Sequence, residues 1–127
     1  MLVEQTVAQA VRLQIFRNNF WVRNNMIPLL QQHESNLQQL CRKHRVLRLE
    51  VFGSAADGTF QAASSDLDFL VEYQPLSNGD YVDAYFGLLS DLEDLFDRKI
   101  DLVVDRAIRD PYFRKGVDQS RKVIYAT

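Results

Sequence analysis

Two aspartates one residue apart, inside an apolar segment, are the residues of this sequence whose spacing could hold a metal ion. Asp66 and Asp68 stand in the run Ser-Asp-Leu-Asp-Phe-Leu-Val. Because residues two apart on a strand point to the same side, we expect both carboxylates on one face. Adjacent carboxylates repel unless they face solvent or share a cation, and Mg²⁺ prefers such oxygen ligands. The spacing alone is a weak indication, since an acid here is also typical of a strand end.

A third acid, Asp101, stands in a later apolar run, Ile-Asp-Leu-Val-Val. If that run is a strand beside the strand of Asp66 and Asp68, its carboxylate can reach the same cluster or act as a base beside it. Three strand-borne carboxylates with Mg²⁺ are the parts needed for two-metal phosphoryl or nucleotidyl transfer. The three aspartates are therefore candidate catalytic and metal-binding residues.

A glycine-serine pair, Gly53-Ser54, follows the apolar run that ends at Phe52. A strand that ends in such a pair and turns into a helix presents backbone N–H groups and a hydroxyl to an anion. Glycine lets a phosphate approach the backbone because it has no Cβ. The Walker pattern is absent, since Gly58 is followed by Thr59 and Phe60 rather than by lysine.

Hydrophobic period predicts helices and strands in alternation along the chain. Apolar residues at three- and four-residue spacing predict helices over 28–44 and 80–97, and an Asp-Pro pair predicts a third helix that starts at 110–111. Short apolar runs predict strands over 46–52, 67–73, 100–104 and 122–126. This order predicts an α/β or α+β domain around one mixed sheet of about four strands flanked by helices.

The 127 residues suffice for one domain with a single core. We assign residues 28–127 to that domain and residues 1–27 to an N-terminal helical extension. The extension could cover the domain, contact a partner, or be an over-long start, since Met26 could itself initiate. We expect no membrane span and no secretion signal, because apolar runs are short and the N-terminus lacks a basic start. A single cysteine, Cys41, fits the cytoplasm.

Charge is unevenly distributed along the chain. Residues 50–101 carry twelve acids and two bases, whereas residues 1–49 carry seven bases and two acids, and residues 102–127 six bases and three acids. This pattern is typical of solvated faces, and it also fits an acidic site that collects cations beside basic segments that meet phosphates. Composition does not choose between the two.

Taken together, the motifs resemble the polymerase-beta-like nucleotidyltransferases. The resemblance rests on Gly53-Ser54, an interval of eleven residues, the pair Asp66 and Asp68, and Asp101 on a later strand. It is greatest to the minimal nucleotidyltransferase (MNT) group, many members of which are antitoxins paired with HEPN-type RNase toxins. The similar region runs from about Leu37 to the end and includes the segments DLDFLVEY, YFGLLSDLEDLF, RKIDLV and AIRDPYF.

The resemblance implies a mixed sheet with helices on one side, Mg²⁺ as cofactor and ATP as donor. It implies that Gly53 and Ser54 bind the triphosphate, that Asp66 and Asp68 bind the metals, and that Asp101 completes the carboxylate triad. It further implies transfer of AMP to a protein hydroxyl, such as a tyrosine of a HEPN-type toxin, with release of pyrophosphate.

One departure from the family pattern bears on activity. The family commonly reads G-S-x-A-R-G, whereas this chain has Asp57 before Gly58. An acid then stands where a base could help to hold phosphates, and Arg106, Arg109 or Arg114 could compensate. The departure also fits a non-catalytic antitoxin that neutralises its partner by covering it. A third alternative, nucleotide addition to RNA, generally needs a further domain to hold the nucleic acid.

Overall fold

The structure is a computed structural model that describes residues 26–127. The chain divides into two compact units, Met1–Glu34 and Ser35–Thr127. In the first unit the described residues contain helix α1, Pro28–Gln32, with a proline in its first turn as predicted. The predicted extension over residues 1–27 lies outside the described residues except for its last two positions. The boundary at residue 28 therefore stays a prediction.

The single helix predicted over residues 28–44 is wrong in one respect, because the helix is interrupted. Helix α1 ends at Gln32, and a second helix begins at Glu34. His33 lies between them with φ −109° and ψ 18°, outside the helical region. Its ring Nδ1 lies 2.9 Å from the carbonyl oxygen of Leu29. The apolar period continues across this turn, so hydrophobic spacing alone did not reveal it.

The second unit carries the rest of the described secondary structure. Its elements are α2 (Glu34–Lys43, whose first residue belongs to the first unit), β1 (Val46–Phe52), α3 (Ser54–Asp57), β2 (Leu67–Tyr73), α4 (Asn78–Phe96), β3 (Ile100–Val104), a 3-10 turn (Asp105–Ala107), α5 (Pro111–Ser120) and β4 (Lys122–Ala126). All four predicted strands are confirmed. Within residues 26–127 no helix combines the length and apolar character needed to cross a membrane.

The four strands form one mixed sheet in the order β3-β2-β1-β4. Strand β1 pairs antiparallel with β2 and with β4, whereas β2 and β3 are parallel. Parallel neighbours need a crossover connection, and α4 supplies it between β2 and β3. The sheet therefore brings β3 beside β2, as the role predicted for Asp101 requires.

Helices cover both faces of the sheet, unlike the one-sided arrangement that the resemblance implied. On one face Phe69 of β2 stacks on Phe96 of α4, with ring centroids 6.1 Å apart. On the other face Phe52 and Leu70 pack against Val117 of α5. Phe69 and Leu70 are consecutive, and consecutive strand residues point to opposite faces. Helix α5 thus lies on the face opposite α4.

Helix α5 begins as the sequence predicted. Asp110 is its N-cap, and the Asp110 side chain accepts a hydrogen bond of 2.9 Å from the backbone N–H of Tyr112. Pro111 occupies the first turn, where a missing N–H costs nothing. This cap fixes the start of the helix beside the end of β3.

Candidate active site

The site begins at the turn after β1, where Gly53 leads from the strand into the short helix α3. Gly53 has φ 68° and ψ −146°, a backbone conformation that residues with a Cβ rarely adopt. A Cβ placed there would overlap the carboxylate of Asp68. Glycine is therefore required both by the backbone and by the close approach of an acid. The predicted strand-to-helix turn is confirmed.

Asp68 and Asp101 lie side by side on the parallel strands β2 and β3. The two residues are direct partners in the register of these strands. Burial, a hydrogen bond shared with Asp101, and the charges of Asp101 and Asp66 raise the pKa of Asp68 to about 6, against a smaller opposing effect of Lys99. The pair is thus held in a position where two full negative charges repel.

Asp66 is placed differently from the prediction of a shared strand face. Strand β2 begins at Leu67, so Asp66 lies one residue before the strand. Its carboxylate lies 3.7 Å from the ammonium group of Lys99 and is 43% exposed. Within residues 26–127 no three histidine, cysteine, aspartate or glutamate side chains are grouped so that they could hold a metal ion. The structure therefore brings together Asp68 and Asp101, with Asp66 beside them and paired to a lysine.

The loop that carries Asp66 is held by Arg98, a residue that the sequence analysis did not single out. The Arg98 guanidinium donates hydrogen bonds to the carbonyl oxygens of Ser65 at 3.1 Å and Ala62 at 3.0 Å. It also lies over the ring of Phe60, 5.2 Å from the centroid. Arg98 follows α4 and meets this loop only in the folded chain. No local sequence motif therefore indicates the contact between Arg98 and the loop.

Ser120, at the end of α5, is a second residue that sequence reasoning missed. Its hydroxyl oxygen accepts a hydrogen bond of 2.9 Å from the backbone N–H of Gly53. One of the N–H groups expected to meet an anion thus already has a partner. The carbonyl of Gly53 in turn accepts from the N–H groups of Ala56 and Asp57, both at 3.0 Å. The turn is anchored from both sides.

A cleft of about 360 Å³ opens beside the two carboxylates. It is lined by Phe52, Asp68, Tyr85, Ile100, Asp101, Leu102, Val103 and Phe113. Tyr85 reaches it from α4 and donates a 2.7 Å hydrogen bond to the carbonyl oxygen of Leu102 on the edge strand β3. Burial and the charge of Asp101 raise the pKa of Tyr85, so its hydroxyl stays protonated. The cleft thus combines acids at one end with aromatic walls.

Asp57, the departure from the family pattern, serves the local turn. Its carboxylate accepts hydrogen bonds from the N–H of Thr59 at 3.0 Å and the hydroxyl of Thr59 at 2.6 Å. These hydrogen bonds lower the pKa of Asp57, which is fully exposed. Among the contacts of the described residues, Asp57 has none with Asp68 or Asp101.

The three arginines that could compensate for Asp57 differ in their partners. Arg114 binds Asp105, through its carboxylate at 2.6 Å and its backbone carbonyl at 2.6 Å. Arg106 donates to the Tyr81 hydroxyl at 2.8 Å and lies 3.6 Å from Glu72. Arg109 is exposed, and within residues 26–127 it makes no ion pair or hydrogen bond.

The sequence of this chain matches a known protein family. The model of the nucleotidyltransferase domain family matches residues 34–124. The chain belongs to this family. It is a nucleotidyltransferase. It is similar to a candidate protein adenylyltransferase of Methanocaldococcus jannaschii, with 35% identity over 91 residues, which cover 72% of this chain and 86% of that protein. A second such protein of the same organism is 31% identical over 91 residues.

Solved structures show the same nucleotidyltransferase fold. A structure described as a minimal nucleotidyltransferase has 30% identity and a TM-score of 0.60, covering 75% of this chain and 94% of its own. A toxin–antitoxin structure with AMP-PNP has 26% identity and a TM-score of 0.55, covering 74% of this chain and 73% of its own. A Shewanella oneidensis complex of a tri-AMPylated HEPN toxin with an MNT antitoxin, at 23% identity, TM-score 0.53 and coverage of 76% and 72%, shares the fold.

Proposed function

We propose that this nucleotidyltransferase moves AMP from ATP to a hydroxyl of a protein. The observation that carries the proposal is the pairing of Asp68 with Asp101 on neighbouring strands. The carboxylate of Asp68 lies against Gly53, and an aromatic cleft opens beside the two acids. The similarity to candidate protein adenylyltransferases supports a protein acceptor. The acceptor proposed here is a tyrosine of a HEPN-type toxin, which the modification would inactivate, so that the chain acts as an antitoxin.

The acid pair fits Mg²⁺, the cofactor that the family resemblance implies. Two carboxylates side by side, one of them with a raised pKa, are a set that a divalent cation would stabilise. Asp66 would join them by leaving Lys99, whose side chain is 69% exposed and has room to move. When bound, Mg²⁺ would neutralise charge on the triphosphate and lower the pKa of a coordinated hydroxyl. We assign metal binding to Asp66, Asp68 and Asp101.

The remaining residues would bind and orient the reactants. Gly53 and Ser54 would contact the triphosphate, and Phe52, Tyr85 and Phe113 would flank the nucleotide in the cleft. The acceptor oxygen attacks the α-phosphorus, a new O–P bond forms, and the bond to the β-phosphate oxygen breaks. Pyrophosphate leaves with that electron pair, and Asp101, as base, takes the hydroxyl proton. In-line positioning supplies much of the rate in such transfers.

The decisive experiment uses α-labelled ATP, Mg²⁺ and the protein encoded by the neighbouring gene, which under this proposal is a HEPN-type toxin. We expect label on that protein with the wild-type enzyme and none with Asp68→Asn, a substitution that removes the charge and keeps the size. Undiminished labelling by the variant would contradict the role of Asp68. A stable complex without label in either case would contradict the transfer itself.

A second candidate function is neutralisation by binding alone. It is favoured by Asp66, which is paired with Lys99 rather than grouped with the other acids, and by Asp57, which serves only its own turn. Under this alternative a variant with both Asp68→Asn and Asp101→Asn still rescues cells from the toxin. Loss of rescue with retained complex formation would instead favour the enzyme.

Nucleotide addition to RNA is the remaining alternative to a protein acceptor. An RNA acceptor would require RNA binding with a steep dependence on salt, measured by titration with a labelled oligonucleotide.

We place the protein in the cytoplasm, where a free buried thiol such as Cys41 stays reduced.

A further inference from the structure

An apolar hollow adjoins the cleft along the first half of α4. Its volume is about 490 Å³, and its wall includes Tyr81, Val82 and Phe86 from α4 together with Arg106 and Arg109. Val82 is 57% exposed and Phe86 is 62% exposed. Residues four apart on a helix are neighbours, so the two form one apolar patch. An exposed apolar patch beside a concave surface is typical of a protein interaction site.

The hollow is continuous with the cleft that contains the acid pair. An intermediate hollow of about 580 Å³ shares Tyr85 and Arg109 with the apolar hollow. The same intermediate hollow shares Tyr85 and Phe113 with the cleft at Asp68 and Asp101. A groove therefore runs from the carboxylates, past Tyr85 and Arg109, to the apolar patch. Whatever brings a hydroxyl to the cleft along this groove also covers the patch.

The charged side chains along the groove favour one class of binding partner. Arg106 is held by Tyr81 and Glu72, whereas Arg109 has no ion pair or hydrogen bond in the part of the chain that the structure describes. The groove thus offers one unpaired guanidinium next to an apolar patch. A nucleic acid needs several cations to replace its counterions, more than one unpaired guanidinium supplies. A polypeptide with one apolar side chain and one carboxylate matches the groove.

We propose that Val82, Phe86 and Arg109 form the docking surface for the acceptor protein. A segment of the acceptor places an apolar side chain on Val82 and Phe86 and a carboxylate on Arg109, while its hydroxyl enters the cleft. This inference rests on the proposed transfer of AMP to a protein and adds how the acceptor is selected. It assigns the apolar hollow to the acceptor and the cleft to ATP.

The test uses an array of peptides, each with one central tyrosine, whose flanks carry leucine or serine and glutamate or lysine at defined distances. The array is read twice, once for transfer from α-labelled ATP and once for binding of the fluorescently labelled enzyme. We expect the wild-type enzyme to favour peptides with both leucine and glutamate, by roughly fivefold or more over matched peptides that lack either.

Matched variants separate the two contacts. Val82→Ser with Phe86→Ser should abolish the preference for leucine, and Arg109→Glu should reverse the preference for glutamate, whereas Arg109→Lys should keep it. Leu47→Ser is the control, because Leu47 is another exposed apolar side chain, 40% exposed, on β1. The affinity for AMP-PNP should be the same in all four variants.

Each other outcome contradicts a stated part. Transfer without any flank preference, or a preference that survives in the patch variants, would contradict the docking surface and leave the reaction standing. Flank-dependent binding without transfer would contradict the reaction and leave the surface standing. Weaker AMP-PNP binding by Arg109→Glu would assign Arg109 to the triphosphate. Competition by a labelled oligoribonucleotide, or a changed sedimentation of the patch variant alone, would assign the surface to RNA or to a second copy.

Discussion

Residue 53 has no space for a Cβ, because the carboxylate of Asp68 occupies the position that it would take. Gly53→Ala should therefore displace Asp68 as well as strain a backbone with φ 68°. We expect a loss of about 1–2 kcal/mol of stability from the backbone and a fall in AMP transfer of at least roughly 100-fold from misplacement of the acid. Denaturation and transfer assays on the same variant measure the two effects.

Gly58→Ala is the matched control for that prediction. Gly58 also has a positive φ, 89°, but a Cβ there would meet no atom within 4 Å. The Gly58→Ala variant should lose about as much free energy of unfolding as Gly53→Ala and keep most of its transfer activity. Equal losses of activity in the two variants would show that backbone strain, and not the contact with Asp68, limits catalysis.

Removing one charge of the acid pair should stabilise the metal-free protein. Burial and the neighbouring acids raise the pKa of Asp68, so at pH 8 its ionised form is held at a cost. In EDTA we expect Asp68→Asn to raise the free energy of unfolding by up to about 1 kcal/mol, the usual scale for like charges directly opposite in a sheet. Addition of Mg²⁺ should raise the melting temperature of the wild type only. A variant destabilised in EDTA would contradict the repulsion.

Arg98 should control the position of Asp66 through the loop that precedes β2. Arg98→Met removes both hydrogen bonds to loop carbonyls and should cost about 1–2 kcal/mol of stability. Arg98→Lys keeps the charge but not the planar two-donor geometry, so it should recover little. The variants should also show weaker Mg²⁺ binding, measured by calorimetry. Unchanged metal affinity would show that the loop does not need this clamp.

Gly87 and His44 should be strongly coupled. A Cβ at position 87 would lie 2.7 Å from the His44 ring, which hydrogen-bonds Asp91 at 2.6 Å. Gly87→Ala should thus destabilise the wild type, although alanine favours a helix by about 1 kcal/mol. In a His44→Ala background the same change should stabilise. The sign reversal in a double-mutant cycle is the test, and additive effects would exclude the contact.

Asp91 should make stability depend on pH in acid. Hydrogen bonds from His44 and then Lys43 lower the pKa of Asp91 below its ordinary value. A lowered folded-state pKa contributes stability above the unfolded-state value of about 3.9, and this contribution is lost as the pH falls through the folded-state value. Asp91→Asn should therefore be less stable than the wild type at pH 6, and the difference should shrink as the pH falls below the unfolded-state pKa. A constant difference over this range would contradict the assignment.

Strands were predictable from the sequence because their signal is local. The bounds of β1 and β3 follow from apolar runs that end at a glycine and at a charged turn, and the structure has the same bounds. The start of α4 was predicted two residues late, since Ser77 and Asn78 are equally typical of a turn and of a helix start. The break at His33 depends on the φ and ψ angles of one residue, which no apolar period encodes.

Within the site, the sequence predicted residue types and not their partners. Two apolar runs predicted the strands that carry Asp68 and Asp101, and the pairing of these strands meets the condition set for the role of Asp101. The partners Lys99 of Asp66 and Ser120 of Gly53 come from elements distant in sequence. Such contacts are set by how the elements pack, so a pattern in one segment does not contain them.

The direct pairing of Asp68 with Asp101 also limits where the protein tolerates insertions and deletions. The turn between α4 and β3 sets the register, and a shift of one residue would turn Asp101 to the opposite face and bring Leu102 to the site. Insertions and deletions in residues 97–99 should thus be excluded among active relatives.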